Sequence, residues 1–228
     1  GEGGKVLKYR LLKPLGYNAN KLYPLVIFLH GAGERGDDNA VQLKHGMADF
    51  CKTTRREQNP AYVLAPQCPT GEKWADLDWS ADSVKMPEEA STSMKLTLAL
   101  VDAMLADAAV DKNRIYITGL SMGGYGTWDA LARRPDFFAA AIPICGGGDP
   151  KTAESIKRVP IHCFHGDQDK AVAVERSRDM IAALKEAGGA PLYTEYPGVG
   201  HDSWTQTYAN DAVHAWLFAQ RKSPIIPG

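Results

Sequence analysis

The sequence predicts an α/β fold: a mostly parallel central sheet flanked by helices on both faces. Three observations carry it. Strand-like and helix-like stretches alternate along the whole chain, as they do in sheets built from crossover units. Leu25-Val-Ile-Phe-Leu29 is continuously apolar, as a strand covered on both faces must be. The run Gly119-Leu-Ser121-Met-Gly123 lies between a β-branched, aromatic stretch and a helix-forming one, so a serine is set on a strand-to-helix turn.

Each element follows from local pattern. Residues 6–12 alternate apolar and polar, predicting a half-buried entry strand. Residues 25–29 and 62–65 predict the next two strands. A Pro- and charge-rich insertion, 66–89, contains Trp74 and Trp79. Residues 91–109 predict an amphipathic helix, because Leu98, Val101, Leu105 and Ala108 recur at helical spacing. Residues 115–118 form the strand before Ser121 and 125–133 the helix after it, ended by Pro135. Two strands follow at 139–144 and 161–164, then a helix at 173–187 stopped by Gly188-Gly189. Residues 192–196 make the last strand and 208–221 the last helix. Ligands of such sheets bind at the carboxyl ends of the strands.

Composition narrows the function classes. The 228 residues fit one α/β domain, 1–228, and 23% charged with 44% hydrophobic residues is ordinary globular usage. A formal net charge of −1 implies no basic face, which argues against a nucleic-acid partner. No apolar run approaches the roughly 20 residues that span a bilayer, which argues against a membrane partner. The start, Gly1-Glu-Gly-Gly-Lys5, is not a signal peptide; an exported chain whose leader has been removed fits equally, so the compartment stays open. Cys51, Cys68, Cys145 and Cys163 have no Cys-x-x-Cys spacing, and buried free thiols are the expectation. The sequence does not specify an oligomeric state.

Ser121 is the candidate nucleophile, with Gly119, Gly123 and Gly124 making room around it. Met122 offers a backbone N–H at a helix N-terminus, where an oxyanion is stabilised. The glycines of His30-Gly-Ala-Gly-Glu-Arg-Gly36 also spell a dinucleotide-binding pattern. That reading needs a helix opening in the loop and an acid ending a second strand about 20 residues on; Glu57 lies near that distance but in no strand. The loop instead supplies the second oxyanion amide, Ala32, with Gly31 and Gly33 as alternatives. Glu34 and Arg35 are expected to pair with each other or with neighbouring loops.

Strand-to-helix nucleophiles are followed along the chain by the acid and then the base. Only His201 and His214 lie late enough. His214 falls inside the last helix, whereas His201 sits in the Gly-rich loop after the last strand, so His201 is the candidate base. Asp149, Asp167 and Asp169 all follow strands downstream of Ser121 and all remain candidates for the acid. His162, Cys163 and His165 suggest a metal cluster, but alternate strand residues face opposite ways. No metal and no organic cofactor is expected.

Four motifs occur in order: His30-Gly-Ala-Gly-Glu-Arg-Gly-Asp-Asp-Asn39, Gly119-Leu-Ser-Met-Gly-Gly-Tyr-Gly-Thr-Trp128, His165-Gly-x-x-Asp169 with Val172, and Gly200-His-Asp-Ser-Trp204. Together they resemble α/β-hydrolase esterases of the phospholipase/carboxylesterase and feruloyl-esterase-like kind, which are similar to prolyl oligopeptidase catalytic domains. The resemblance covers residues 6–221 and implies an α/β-hydrolase fold with Asp169 as the acid. It implies a serine carboxylesterase for short-chain or aryl esters, including feruloyl or acetyl esters of plant polysaccharide. The alternatives are a prolyl oligopeptidase-like peptidase and a non-catalytic binding protein. Trp204 and Trp79 are the candidate substrate-binding residues, Trp204 as pocket wall or loop anchor and Trp79, with Trp74, beside an aromatic acyl group. Trp128 is expected in the core. The lack of a long apolar lid argues against a triglyceride lipase.

Overall fold

The structure is a computed structural model describing residues 4–79, 81 and 83–222. Residues 1–3 of the opening segment, and Ser80 and Asp82 of the insertion, lie outside the described residues. Strands β1 (Lys8–Leu12), β2 (Tyr23–Leu29) and β3 (Tyr62–Gln67) come first, with short helices α1 (Met47–Phe50) and α2 (Thr53–Gln58) before β3. Helix α3 (Thr92–Asp107) leads into β4 (Val110–Leu120), and one residue separates β4 from α4 (Met122–Arg133). There follow β5 (Ala140–Ile144), α5 (Ala153–Ile156), β6 (His162–Gly166), α6 (Glu175–Glu186), β7 (Leu192–Tyr196), α7 (Trp204–Ala209) and α8 (Asp211–Ala219). Among the described residues the sheet runs β1-β3-β2-β4-β5-β6-β7, parallel except for β1 on β3. It is the α/β-hydrolase architecture that the sequence predicts.

The two faces of β2 show why its run is apolar throughout. Leu25, Ile27 and Leu29 pack with Met94, Val101, Leu131 and Met180 from α3, α4 and α6. Val26 and Phe28 pack with Phe50, Tyr208, Val213 and Leu217 from α1, α7 and α8. Burying such side chains is worth roughly 1.5–3 kcal/mol each, and β2 buries all seven of its residues.

Several expectations need correction. The entry strand is shorter than 6–12 and lies at the sheet edge, where Lys8, Tyr9 and Arg10 are exposed; Leu11 and Leu12 pack inward while Val6 and Tyr9 face out. Strand β3 continues through Pro66, opposite Tyr9, so the insertion starts later than residue 66. The buried stripe of α3 is Met94, Thr97, Val101 and Met104, next to the predicted one, and Ser91 caps the helix by accepting from the Met94 N–H at 3.1 Å. The predicted last helix is two helices, broken at Asn210, whose side chain caps α8 through the Ala212 N–H. Arg55 closes the break by donating to the Tyr208 and Ala209 carbonyls, both at 2.7 Å. All four cysteines are free, and Cys68, Cys145 and Cys163 are buried, but Cys51, just past the end of α1, is exposed.

Candidate active site

Helix α4 starts at Met122, ahead of the predicted residue 125, because close packing overrides the poor helix propensity of Gly123 and Gly124. A Cβ at Gly123 would run into the Leu29 carbonyl, and one at Gly119 into the Gly123 carbonyl. Strand and helix therefore approach closely enough to force a turn at Ser121, with φ +53° and ψ −116°. A non-glycine residue there costs about 1–3 kcal/mol. The turn is held by the Ser121 N–H donating to the Ile144 carbonyl at 3.0 Å and the Tyr125 N–H to the Ser121 carbonyl at 3.1 Å.

His201 comes from the loop after β7 and Asp169 from the turn after β6. Ser121 Oγ lies 2.9 Å from His201 Nε2, and His201 Nδ1 lies 2.7 Å from Asp169 Oδ2. The other carboxylate oxygen, Oδ1, accepts from the Ala171 and Val172 amides at 2.8 and 2.9 Å. Burial pushes the Asp169 carboxyl up, but hydrogen bonds from His165, His201, Val172 and Ala171 outweigh it and hold the group far below the usual carboxylate range. A permanently ionised Asp169 facing Nδ1 leaves Nε2 unprotonated towards Ser121, the tautomer a general base needs.

The oxyanion candidates open the helical turns that follow β4 and β2. Met122 is the first residue of α4, and Ala32 opens a 3-10 turn, Ala32–Glu34, straight after the loop that follows β2. First-turn amides lack an intrahelical acceptor, and among the described residues neither N–H donates to another protein group.

The phospholipase/carboxylesterase family model matches residues 17–214. The chain belongs to this family. Carboxylesterase SOBER1 of Arabidopsis thaliana is 27% identical over 191 residues, covering 77% of this chain and 82% of that protein. Acyl-protein thioesterase 1 of Neurospora crassa is 27% identical over 226 residues, covering 84% of each. Among solved structures, a thermostable esterase is similar with a TM-score of 0.88 at 44% identity over 94% of this chain, which spans 59% of that one. By membership this chain is a hydrolase acting on esters.

The flanks of the carboxylesterase centre come from three segments. On one side the insertion packs Ala75, Leu77 and Val84 against Tyr125, one turn beyond Ser121, and Val172, on the turn that holds Asp169. Trp79 stacks on Tyr125 with centroids 6.3 Å apart and planes at 26°, and Lys73 Nζ lies 4.4 Å from its ring centre. On the other side the Trp204 ring stands at 87° to His201, 5.2 Å away, with His45 5.4 Å beyond it. Glu34 and Arg35 do not pair with each other. Glu34 is buried beside His45 at 3.4 Å, and Arg35 donates to the Ala32 and Glu72 carbonyls.

Other candidates serve the fold of this family member. Trp74 is wholly buried and donates its indole N–H to the His30 carbonyl at 3.0 Å, so the pairing of Trp74 with Trp79 beside an acyl group is corrected. Trp128 is buried in the core as expected. Asp149 caps a turn through the Lys151 amide and accepts from the Met86 N–H; Asp167 accepts from the Gly198 N–H at 2.7 Å. His214 Nε2 accepts from Arg55 at 2.7 Å. On β6, His162 stacks on Phe164 and contacts Thr194 Oγ1, while His165 reaches Ser177 and Asp169, so the two rings face different neighbours. Cys145, Asp169 and His201 bring ligating atoms within 4.8 Å of one another. There, however, His201 and Asp169 are hydrogen-bonded to each other at 2.7 Å and the Cys145 thiol is buried. At the centre itself, the sequence did not reveal the contact of His165 on Asp169. Its signal was the i, i+4 spacing within His165-Gly-x-x-Asp169, which reads as a motif without revealing that a strand end and the turn after it fold back on each other.

Proposed function

We propose that the chain is a serine carboxylesterase that hydrolyses short-chain or aryl carboxylic esters through an acyl-enzyme on Ser121. The unbroken hydrogen-bonded line from Ser121 Oγ through His201 to Asp169 carries the reading. Ser121 Oγ attacks the ester carbonyl carbon while its proton passes to His201 Nε2. The oxyanion of the tetrahedral intermediate accepts from the Met122 and Ala32 amides; loss of one such donor costs about 10²–10³ in kcat. As the intermediate collapses, His201 protonates the departing alcohol and the acyl group stays on Ser121. Water, deprotonated by the same imidazole, then releases the acid. Asp169 steers the ring and stabilises its cation without taking the proton, and the steps call on no metal or organic cofactor.

The acyl side is read from Trp79, 38% exposed and stacked above buried Tyr125. A flat exposed ring stacked on Tyr125, which itself sits one turn beyond the nucleophile, suits an aryl group, which brings feruloyl esters on plant polysaccharide within range beside acetyl esters. Trp204 supports the opposite wall and steadies His201. A panel of acetyl, butyryl, octanoyl and feruloyl esters, with a proline-linked aryl amide, tests the proposal on wild type and Ser121→Ala. Ester turnover that drops about 10⁴-fold or more in the variant is expected. Wild-type-sized activity in Ser121→Ala, or amide cleavage without ester turnover, overturns it.

A further inference from the structure

His165 plays no part in the acyl transfer just described, yet its side chain is fully buried against the acid of the catalytic line. Its Nε2 lies 3.1 Å from Asp169 Oδ2, the same oxygen that takes His201 Nδ1, and 3.0 Å from the Val172 carbonyl. Both neighbours of that nitrogen are acceptors, so it carries a hydrogen in either charge state of the ring. The far nitrogen, Nδ1, is 2.7 Å from Ser177 Oγ, which also bonds the Gly146 carbonyl at 3.0 Å. The imidazole is thus pinned at both ends. With Oδ1 occupied by two amides, four donors fix the Asp169 carboxylate in one rotamer.

The local sequence makes the arrangement possible. His165 is an inward residue near the end of β6, and the turn through Asp169, closed by its N–H on the Gly166 carbonyl at 3.3 Å, brings the carboxylate back over the strand. A Cβ at Gly166 would meet the Val199 and Gly200 carbonyls, so this glycine lets the loop carrying His201 close against the same strand end. Two imidazoles on one carboxylate oxygen follow from that closure.

We propose that His165 is a positioning residue for the ester-hydrolase reaction: its Nε2–H holds Asp169 Oδ2 on His201 and draws charge from it, setting the pH above which His201 serves as base. The proposal rests on the Ser121–His201–Asp169 reading. Hydrogen-bond donation to a carboxylate lowers its hold on a neighbouring cation. Taking the donor away leaves more charge on Oδ2, the His201 imidazolium becomes harder to deprotonate, and the acid limb of kcat/KM moves to higher pH. The groups facing His201 are Asp169, the Cys145 thiol and, across the Trp204 ring, His45 with Glu34. Those facing His165 are Asp169, Ser177 with Cys163 beside it, and, opposite it on β7, Glu195, itself paired with Arg178. Among these groups it is Asp169 that hydrogen-bonds to both rings.

His165→Leu and His165→Gln, compared with wild type across pH on an acetyl ester, test this. The leucine variant is expected to lose about 10- to 100-fold in kcat/KM and to shift its acid limb upward by about half a pH unit or more. The glutamine variant, which keeps an N–H donor, should recover most of the activity and the wild-type limb. Equal losses in both variants, or an unmoved limb in the leucine variant, overturn the proposal and leave His165 a packing residue. If the leucine variant does not fold, ¹⁵N-histidine spectra of wild type decide: Nε2 of His165 stays protonated throughout the pH range in which His201 titrates, and a spectrum showing it bare overturns the proposal. A fluorophosphonate probe separates the two readings, because failure of wild type to label at Ser121 removes the nucleophile itself, whereas labelling with an unmoved limb removes only the role of His165.

Discussion

Two tryptophans five residues apart in the insertion have the same sequence character and opposite fates. Trp74 is sealed under the loop after β2, its indole N–H on the His30 carbonyl and its ring 5.1 Å from the His30 ring. Trp79 keeps a face to solvent above Tyr125. Trp79→Ala is therefore expected to cost about tenfold in kcat/KM on feruloyl esters, the equivalent of one well-placed aromatic contact, while acetyl esters change by less than about twofold. Equal losses on both esters would move Trp79 from the substrate to the fold. A similar divergence separates the three aspartates. Ser121 and His201 were legible from their glycine-rich settings, but Asp167 and Asp169 share one turn after β6, and only the path of that turn sends one carboxylate to the Gly198 amide and the other to the imidazole. Spacing alone does not encode that difference; the family resemblance did.

Among elements, long buried strands and capped helices were readable because one pattern decided each of them. The elements that misled were decided elsewhere. Helix α4 begins on glycines that propensity disfavours, since only glycine fits between it and β2. The stop between α7 and α8 is made by Arg55, from α2, far away in sequence. That buried guanidinium reaches three carbonyls, Asp211 and His214. Arg55→Leu should strip the Ala209 carbonyl of its guanidinium donor and leave the Tyr208 carbonyl with His214 alone, 2.9 Å away. A loss of about 3 kcal/mol or more in urea unfolding is expected; a change below about 0.5 kcal/mol would mean that water already satisfies those groups.

The whole molecule carries a titration signature independent of catalysis. Burial holds His30 and His214 down to about 4, against a slight rise at His30 from its Gly31 hydrogen bond and with further lowering at His214 from Arg55. In the unfolded chain both take protons near the ordinary 6.5. Between those values the unfolded state binds more protons than the folded one, so this stability is complete above about pH 6.5 and lost as pH falls towards 4, at up to about 1.4 kcal/mol per pH unit for each ring. Asp169 has the opposite origin and a lower window: its depressed value contributes stability that disappears only below about 3.9. Urea midpoints should decline steadily from pH 7 to pH 4.5, and a flat series would contradict the burial of these rings.

The proposed catalytic line joins residues 80 and 32 positions apart, carried past the ends of three different parallel strands. Parallel pairing closes long loops before any contact rewards it, and is slow for that reason. In this chain no short segment holds even two of the three groups. The proposed line is complete only with β7 in place, since its following loop carries His201, and a nascent chain that has made Ser121 and Asp169 still lacks the group proposed as its base.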